Sequence, residues 1–131
     1  MRRLLVCSLS LMLVTLFAGC SKDSHEKVAQ DMVVNMTQLR DLLKSVTDMN
    51  TSQAAVKKIP LLEENMLRFQ ERYNTLGKPP KELGDDLNAK YKPQLLTLGQ
   101  EVSAELMRIH GLGTEISLPI EQAMKNTVGK Q

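Results

Sequence analysis

The chain has 131 residues, room for one domain at most. Its 17 Lys+Arg against 15 Asp+Glu leave a net charge of only +2, and its aromatics are two Tyr and two Phe with no Trp, which excludes an electrostatic nucleic-acid binder and an aromatic ligand box. At 42% apolar content a disordered chain is excluded too, and an aliphatic, helical core is the expectation.

Arg2 and Arg3 precede an uncharged, mostly apolar run from Leu4 to Gly19. As a helix this run would rise about 24 Å, short of a hydrocarbon core of roughly 30 Å. It reads as a signal peptide over residues 1–19, cleaved between Gly19 and Cys20, and not as a stable span. The run closes in Leu16-Phe17-Ala18-Gly19-Cys20-Ser21, where two small residues stand directly before a cysteine and a hydrophilic stretch from Ser21 to Lys27 follows at once.

This ending resembles the lipobox of bacterial lipoproteins, with Phe17 at the position where Leu is commonest. The resemblance implies diacylglycerol in thioether linkage on Cys20, cleavage before Cys20, and acylation of the new amino group by a palmitate-type chain. Ser21 follows the cysteine where many enteric-type bacteria place the Asp that retains lipoproteins at the inner membrane. The resemblance therefore points to the outer membrane, facing the periplasm. One acyl chain binds a bilayer reversibly, whereas three make dissociation negligible. Removal of the leader leaves residues 20–131, 112 in number, with 20–23 as a short tether and side-chain charge even at 15 against 15. Cys7 is discarded with the leader and Cys20 is consumed by lipid, so the mature chain has no thiol pair for a disulfide.

The first helix is expected from Asp23, capped by that carboxylate with Glu26 reaching back, and carries an apolar stripe Ala29, Met32, Met36, Leu39, Leu43 and Val46. Residues 48–52 end it and cap the next. The second helix carries Ala55, Ile59, Leu62, Met66, Phe69, Tyr73 and Leu76 in strict 4-3 alternation, with a kink or restart expected at Pro60. Gly77 suits a left-handed cap and Pro79-Pro80 forbids continuation. A third pattern runs from Leu83 through Leu87, Tyr91, Leu95, Leu98, Val102, Leu106 and Ile109, close to an eleven-residue period, with Pro93 expected to kink or split it. Gly111-Leu112-Gly113 stops this helix, and Ser117-Leu118-Pro119 opens a last short one through about Thr127. Short loops imply antiparallel neighbours. The predicted fold is all-α: a small antiparallel three-helix bundle with a short C-terminal helix.

Residues able to do chemistry are few. His25 and His110 are the only imidazoles, lie 85 positions apart and form no HExxH pairing, so no metal site is expected. His25 reads as solvated, and His110 as a favourable last-turn residue. Glu82 and Asp85-Asp86 lack the spacing of a calcium loop and read as a solvated first turn. Lys57-Lys58 and the group Lys78, Lys81, Lys90, Lys92 read as charged helix faces, with anionic lipid or wall polymer as the functional alternative. Gly111-Leu112-Gly113-Thr114 follows a helix instead of a strand and is a helix stop, not a phosphate loop. Of the mature methionines, Met32, Met36 and Met66 fall on core stripes and the rest are Met49, Met107 and Met124; core filling is preferred over a pliable partner groove. Phe69 and Tyr73 are expected in the core with the Tyr hydroxyl at its rim.

These readings add up to a non-catalytic, lipid-anchored periplasmic module acting through an unidentified protein partner, as a scaffold or envelope accessory. The alternative is an immunity or inhibitor lipoprotein that neutralises a periplasmic toxin or hydrolase. Neither needs a catalytic residue, a cofactor beyond the lipid on Cys20, a small-molecule substrate or nucleic acid.

Overall fold

The computed structural model describes residues 22–128, and side chains as far as residue 125. The predicted signal peptide, its cleavage site, Cys20 and the last three residues lie outside that range. Among the described residues every regular element is a helix: α1 (His25–Lys44), α2 (Met49–Leu76), α3 (Lys81–Gly111) and α4 (Thr114–Val128). None of them is long and apolar enough to cross a membrane.

Local chemistry sets the boundaries. Ser24 opens α1 from an extended backbone, its hydroxyl accepting the Lys27 amide at 3.1 Å. Asp48 opens α2 through a capping box: its carboxylate accepts the Thr51 amide at 2.8 Å while Thr51 Oγ1 accepts the Asp48 amide at 3.0 Å. Gly77 ends α2 at φ +74°, a conformation that side chains resist, and Pro80 starts α3 without an amide to leave unpaired. Gly113, at φ +124°, turns the chain from α3 into α4 within two residues.

The helices form a ring in the order α1, α2, α4, α3. Each packs on its two ring neighbours, and the diagonal pairs α2 with α3 and α1 with α4 make no Cα approach within 8 Å. The core gathers at the end where α4 sits: Leu43, Val46, Ile59, Ile109 and Ile120 are all buried to within 1% of fully, with Leu39 and Val102 beside them. Each such side chain contributes about 1.5–3 kcal/mol of transfer free energy. At 1.5 Å per residue α4 spans about 22 Å and α3 about 46 Å, so α4 cannot flank α3 along its whole length. Among the described residues, the end that holds the start of α1 therefore has three helices only.

Several expectations need correcting. Ser24, not Asp23, caps α1. Helices α2 and α3 are continuous through Pro60 and Pro93, so neither proline restarts or splits its helix; both are exposed, and water can reach the carbonyls that each proline ring leaves without an amide. Helix α4 begins at Thr114, three residues before the expected start, which puts Pro119 in its interior and buries Ser117. Although joined by a short loop, α2 and α3 lie on opposite flanks of α1.

Candidate functional site

Two concave surfaces occupy opposite ends of the ring. The first lies beside the opening turns of α1, along the first half of α3, and is closed by Tyr73 and the α2–α3 loop; its volume is about 860 Å³. The stripes explain its apolar floor. Tyr91 and Ile109 are eighteen residues apart, five full turns, so the face of α3 that meets the core at one end faces this cleft at the other. Ion pairs hold the cleft's walls. Arg72 of α2 binds Asp23 at 2.6 and 2.8 Å and Asp31 at 2.8 Å, while Glu26 of α1 receives Lys90 at 2.7 Å and the Tyr91 hydroxyl at 3.2 Å.

These contacts bias the titration of the groups that make them. The Arg72 hydrogen bonds hold Asp23 below the usual carboxylate range, and those from Lys90 do the same for Glu26. At Asp31 partial burial pushes upward, but hydrogen bonds from Arg72 and Lys27 outweigh it and the carboxyl is also lowered. The reciprocal effect raises Arg72 and Lys90.

His25, expected to be solvated, is half-buried in the cleft wall. Its Nε2 donates to the Gly77 carbonyl at 2.7 Å, an acceptor that fixes the hydrogen on that nitrogen, and its ring meets Tyr73 edge-on at 5.4 Å. Tyr73, expected in the core, is 44% exposed. Phe69 is partly buried with the Arg72 guanidinium 5.7 Å from its centroid.

The second surface is a groove of about 770 Å³ between the end of α3 and α4, walled by Leu106, Met107, Ile109, Ile120 and Met124. Met107 is 77% exposed, so core filling does not account for it. Met36 and Met124 do pack on the core, and Met32 faces the cleft. His110, in the last turn of α3 as expected, stands at the groove's edge 3.3 Å from Glu121. Among the described residues no three His, Cys, Asp or Glu side chains gather closely enough to hold a metal ion. Glu82, Asp85 and Asp86 are exposed on the first turns of α3, and Lys57 and Lys58 are exposed on α2.

Three polar residues that sequence reasoning passed over fasten the helices together. Arg108 donates to the Val46 carbonyl at 2.9 Å, just past the end of α1, and to the Leu43 carbonyl at 3.0 Å, which also accepts the Val46 amide at 3.1 Å. Ser52, fully buried, donates to the Ile116 carbonyl at 2.7 Å and ties α2 to α4. Asn35, 3% exposed, donates to the Leu62 carbonyl at 2.9 Å and accepts from Asn65 at 3.3 Å. Position carried a signal for two of them: Ser52 extends the α2 stripe three residues before Ala55, and Asn35 lies four before Leu39.

Comparison with known proteins returns no matching family model, no matching curated protein and no matching solved structure.

Proposed function

We propose that the chain is a non-catalytic lipoprotein of the bacterial envelope, held by lipid on Cys20 at the periplasmic face of the outer membrane and working by contact with a protein partner. The observation that carries this reading is the sequence Leu16-Phe17-Ala18-Gly19-Cys20 at the close of an apolar run that Arg2 and Arg3 introduce. Two further features support it. Helix α1 starts at His25, only five residues after Cys20, so the domain would be tied close to the bilayer. The apolar α3–α4 groove, with exposed Met107, lies at the end of the bundle away from the start of α1, where a partner from the periplasm could reach it.

The test is in-cell crosslinking and affinity capture of a C-terminally tagged chain, native and Cys20→Ala, with membrane fractionation and mass analysis of the N-terminal peptide. The expected result is a lipid mass increment on Cys20, sedimentation with outer membranes, and one reproducible partner that is lost in Cys20→Ala. A native chain that is soluble and unmodified overturns the anchor. Capture of nothing by a protein firmly in the outer membrane overturns the resident-partner role and leaves toxin immunity as the alternative.

A further inference from the structure

The cleft beside α1 combines two chemistries in one place. Its floor is apolar, built from Val28, Ala29 and Met32 of α1 with Leu87, Tyr91 and Leu95 of α3. Its lining also holds three ammonium groups, Lys78, Lys81 and Lys92, against a single carboxylate, Asp85. Lys27 and Lys90 are engaged by Asp31 and Glu26, whereas no carboxylate stands within 4 Å of these three lysines among the described residues. A hydrocarbon floor under a rim in which ammonium groups outnumber the carboxylate is the complement of an amphiphile with an anionic head. The α3–α4 groove lacks that rim: among the described residues Lys125 is its only lysine, and Glu121 faces the same space.

We propose that the cleft binds an anionic phospholipid of the membrane, with one acyl chain along the Val28–Leu95 floor and the phosphate at Lys78 and Lys81, where the α2–α3 loop enters α3; Lys92, about 16 Å farther along α3, adds cationic charge to the rim. The volume of about 860 Å³ falls in the range of about 300–1,000 Å³ typical of small-molecule sites. The choice of a bilayer lipid as the source rests on the proposed anchor at Cys20. His25, in the cleft wall, is five residue steps from Cys20, and at about 3.5 Å each they can extend no more than about 18 Å. An anchored chain therefore keeps this mouth, and not the opposite groove, next to the headgroups. Anionic headgroups attract lysines that come within a Debye length of the surface, about 8–10 Å, which a tether of this length permits.

The experiment uses the full chain, purified from bacterial membranes and reconstituted in phosphatidylcholine vesicles containing a minor fraction of phosphatidylglycerol with a photoactivatable diazirine on its acyl chain. After illumination, labelled peptides are identified by mass spectrometry. The expected result is label concentrated on residues 28–32 and 87–95. It should fall about tenfold when the same diazirine is carried by phosphatidylcholine, or when Lys78→Glu and Lys81→Glu are combined; removing two lysine–lipid attractions predicts at least that factor. Both lysines are exposed, and circular dichroism of the double variant checks that it folds. Equal labelling by the two lipids, label spread over the surface or centred on Met107 and Met124, or no label at all would overturn the proposal. Label that enters the cleft only in Cys20→Ala would assign it to the protein's own acyl chain and overturn it equally. The anchor is read separately, from the mass of the Cys20 peptide. Cleft labelling of an unlipidated chain sinks the anchor alone, and a lipidated chain with an unlabelled cleft sinks this inference alone.

Discussion

Arg72 grips Asp23 with two guanidinium nitrogens, Nη2 to Oδ1 at 2.6 Å and Nε to Oδ2 at 2.8 Å, across 49 residues of chain. The third nitrogen reaches Asp31. One side chain of α2 thus clamps both the approach to α1 and its second turn, in the planar two-pronged geometry that a lysine cannot reproduce.

Replacing Arg72 by Met should lower the thermal midpoint by a few degrees and change its pH dependence. Asp23 and Asp31 both titrate below their ordinary value of 3.8 in the folded chain, so the unfolded chain binds protons first as pH falls. Their contribution is full above that value and is lost as pH drops through the lowered folded values. The native midpoint should be flat from neutrality to about pH 5 and decline below about pH 4, and Arg72→Met should decline less steeply. Parallel acid limbs in a melting series would show that Arg72 does not set these titrations.

Ile120→Ala should cost about 2–5 kcal/mol, because it empties a fully buried position in the main core. Met107→Ala, on the neighbouring helix but 77% exposed, should change stability by less than about 0.5 kcal/mol. Urea unfolding of the two variants checks both. An Ile120 effect as small as that of Met107 would mean that α4 is an appendage that the rest of the bundle does not need.

How much of this was legible beforehand follows from the range of each interaction. Helix positions follow from periodicity, and residues 48–52 are legible as the boundary that caps α2, though not that Asp48 and Thr51 form the capping box. The start of α1 was misread because Asp23 and Ser24 are both good caps, and the choice falls to Arg72, 49 residues away. Pro60 and Pro93 carry the expectation of a kink or a break because local chemistry opposes a helix there, but packing of Ile59, Leu98 and Val102 outweighs one lost hydrogen bond and keeps each helix continuous. The cleft was invisible for a related reason: Leu87, Tyr91 and Leu95 carry the same apolar pattern as the core residues downstream, and a linear sequence does not say how far α4 reaches. The lysines were legible as a group, but not their separation into Lys90, paired with Glu26, and the three that remain.

Ser52→Ala should cost about 0.5–1.5 kcal/mol by removing a buried hydroxyl from the Ile116 carbonyl. Its effect should be local. Amide hydrogen exchange is expected to quicken in residues 114–124 while α1 is unchanged, since Ser52 ties α2 to α4. Uniform acceleration across all four helices would show that α4 does not open independently.

Pro93→Ala should stabilise the chain by about 1–3 kcal/mol, since it restores an amide to the Ala89 carbonyl in the interior of a helix that is already continuous. The gain is net of the proline's restriction of the unfolded chain. Thermal melting measures it directly. A loss of stability would mean that the helix depends on a bend at this proline.

The clamp on Asp23 also has a mechanical meaning. A pull applied through the N-terminus must pass this residue before it reaches Leu43 and Val46, where the apolar packing is densest. The Arg72 fork therefore bears load first and in parallel through two bonds, so that such a pull would be resisted at the edge of the domain and not transmitted to the far end.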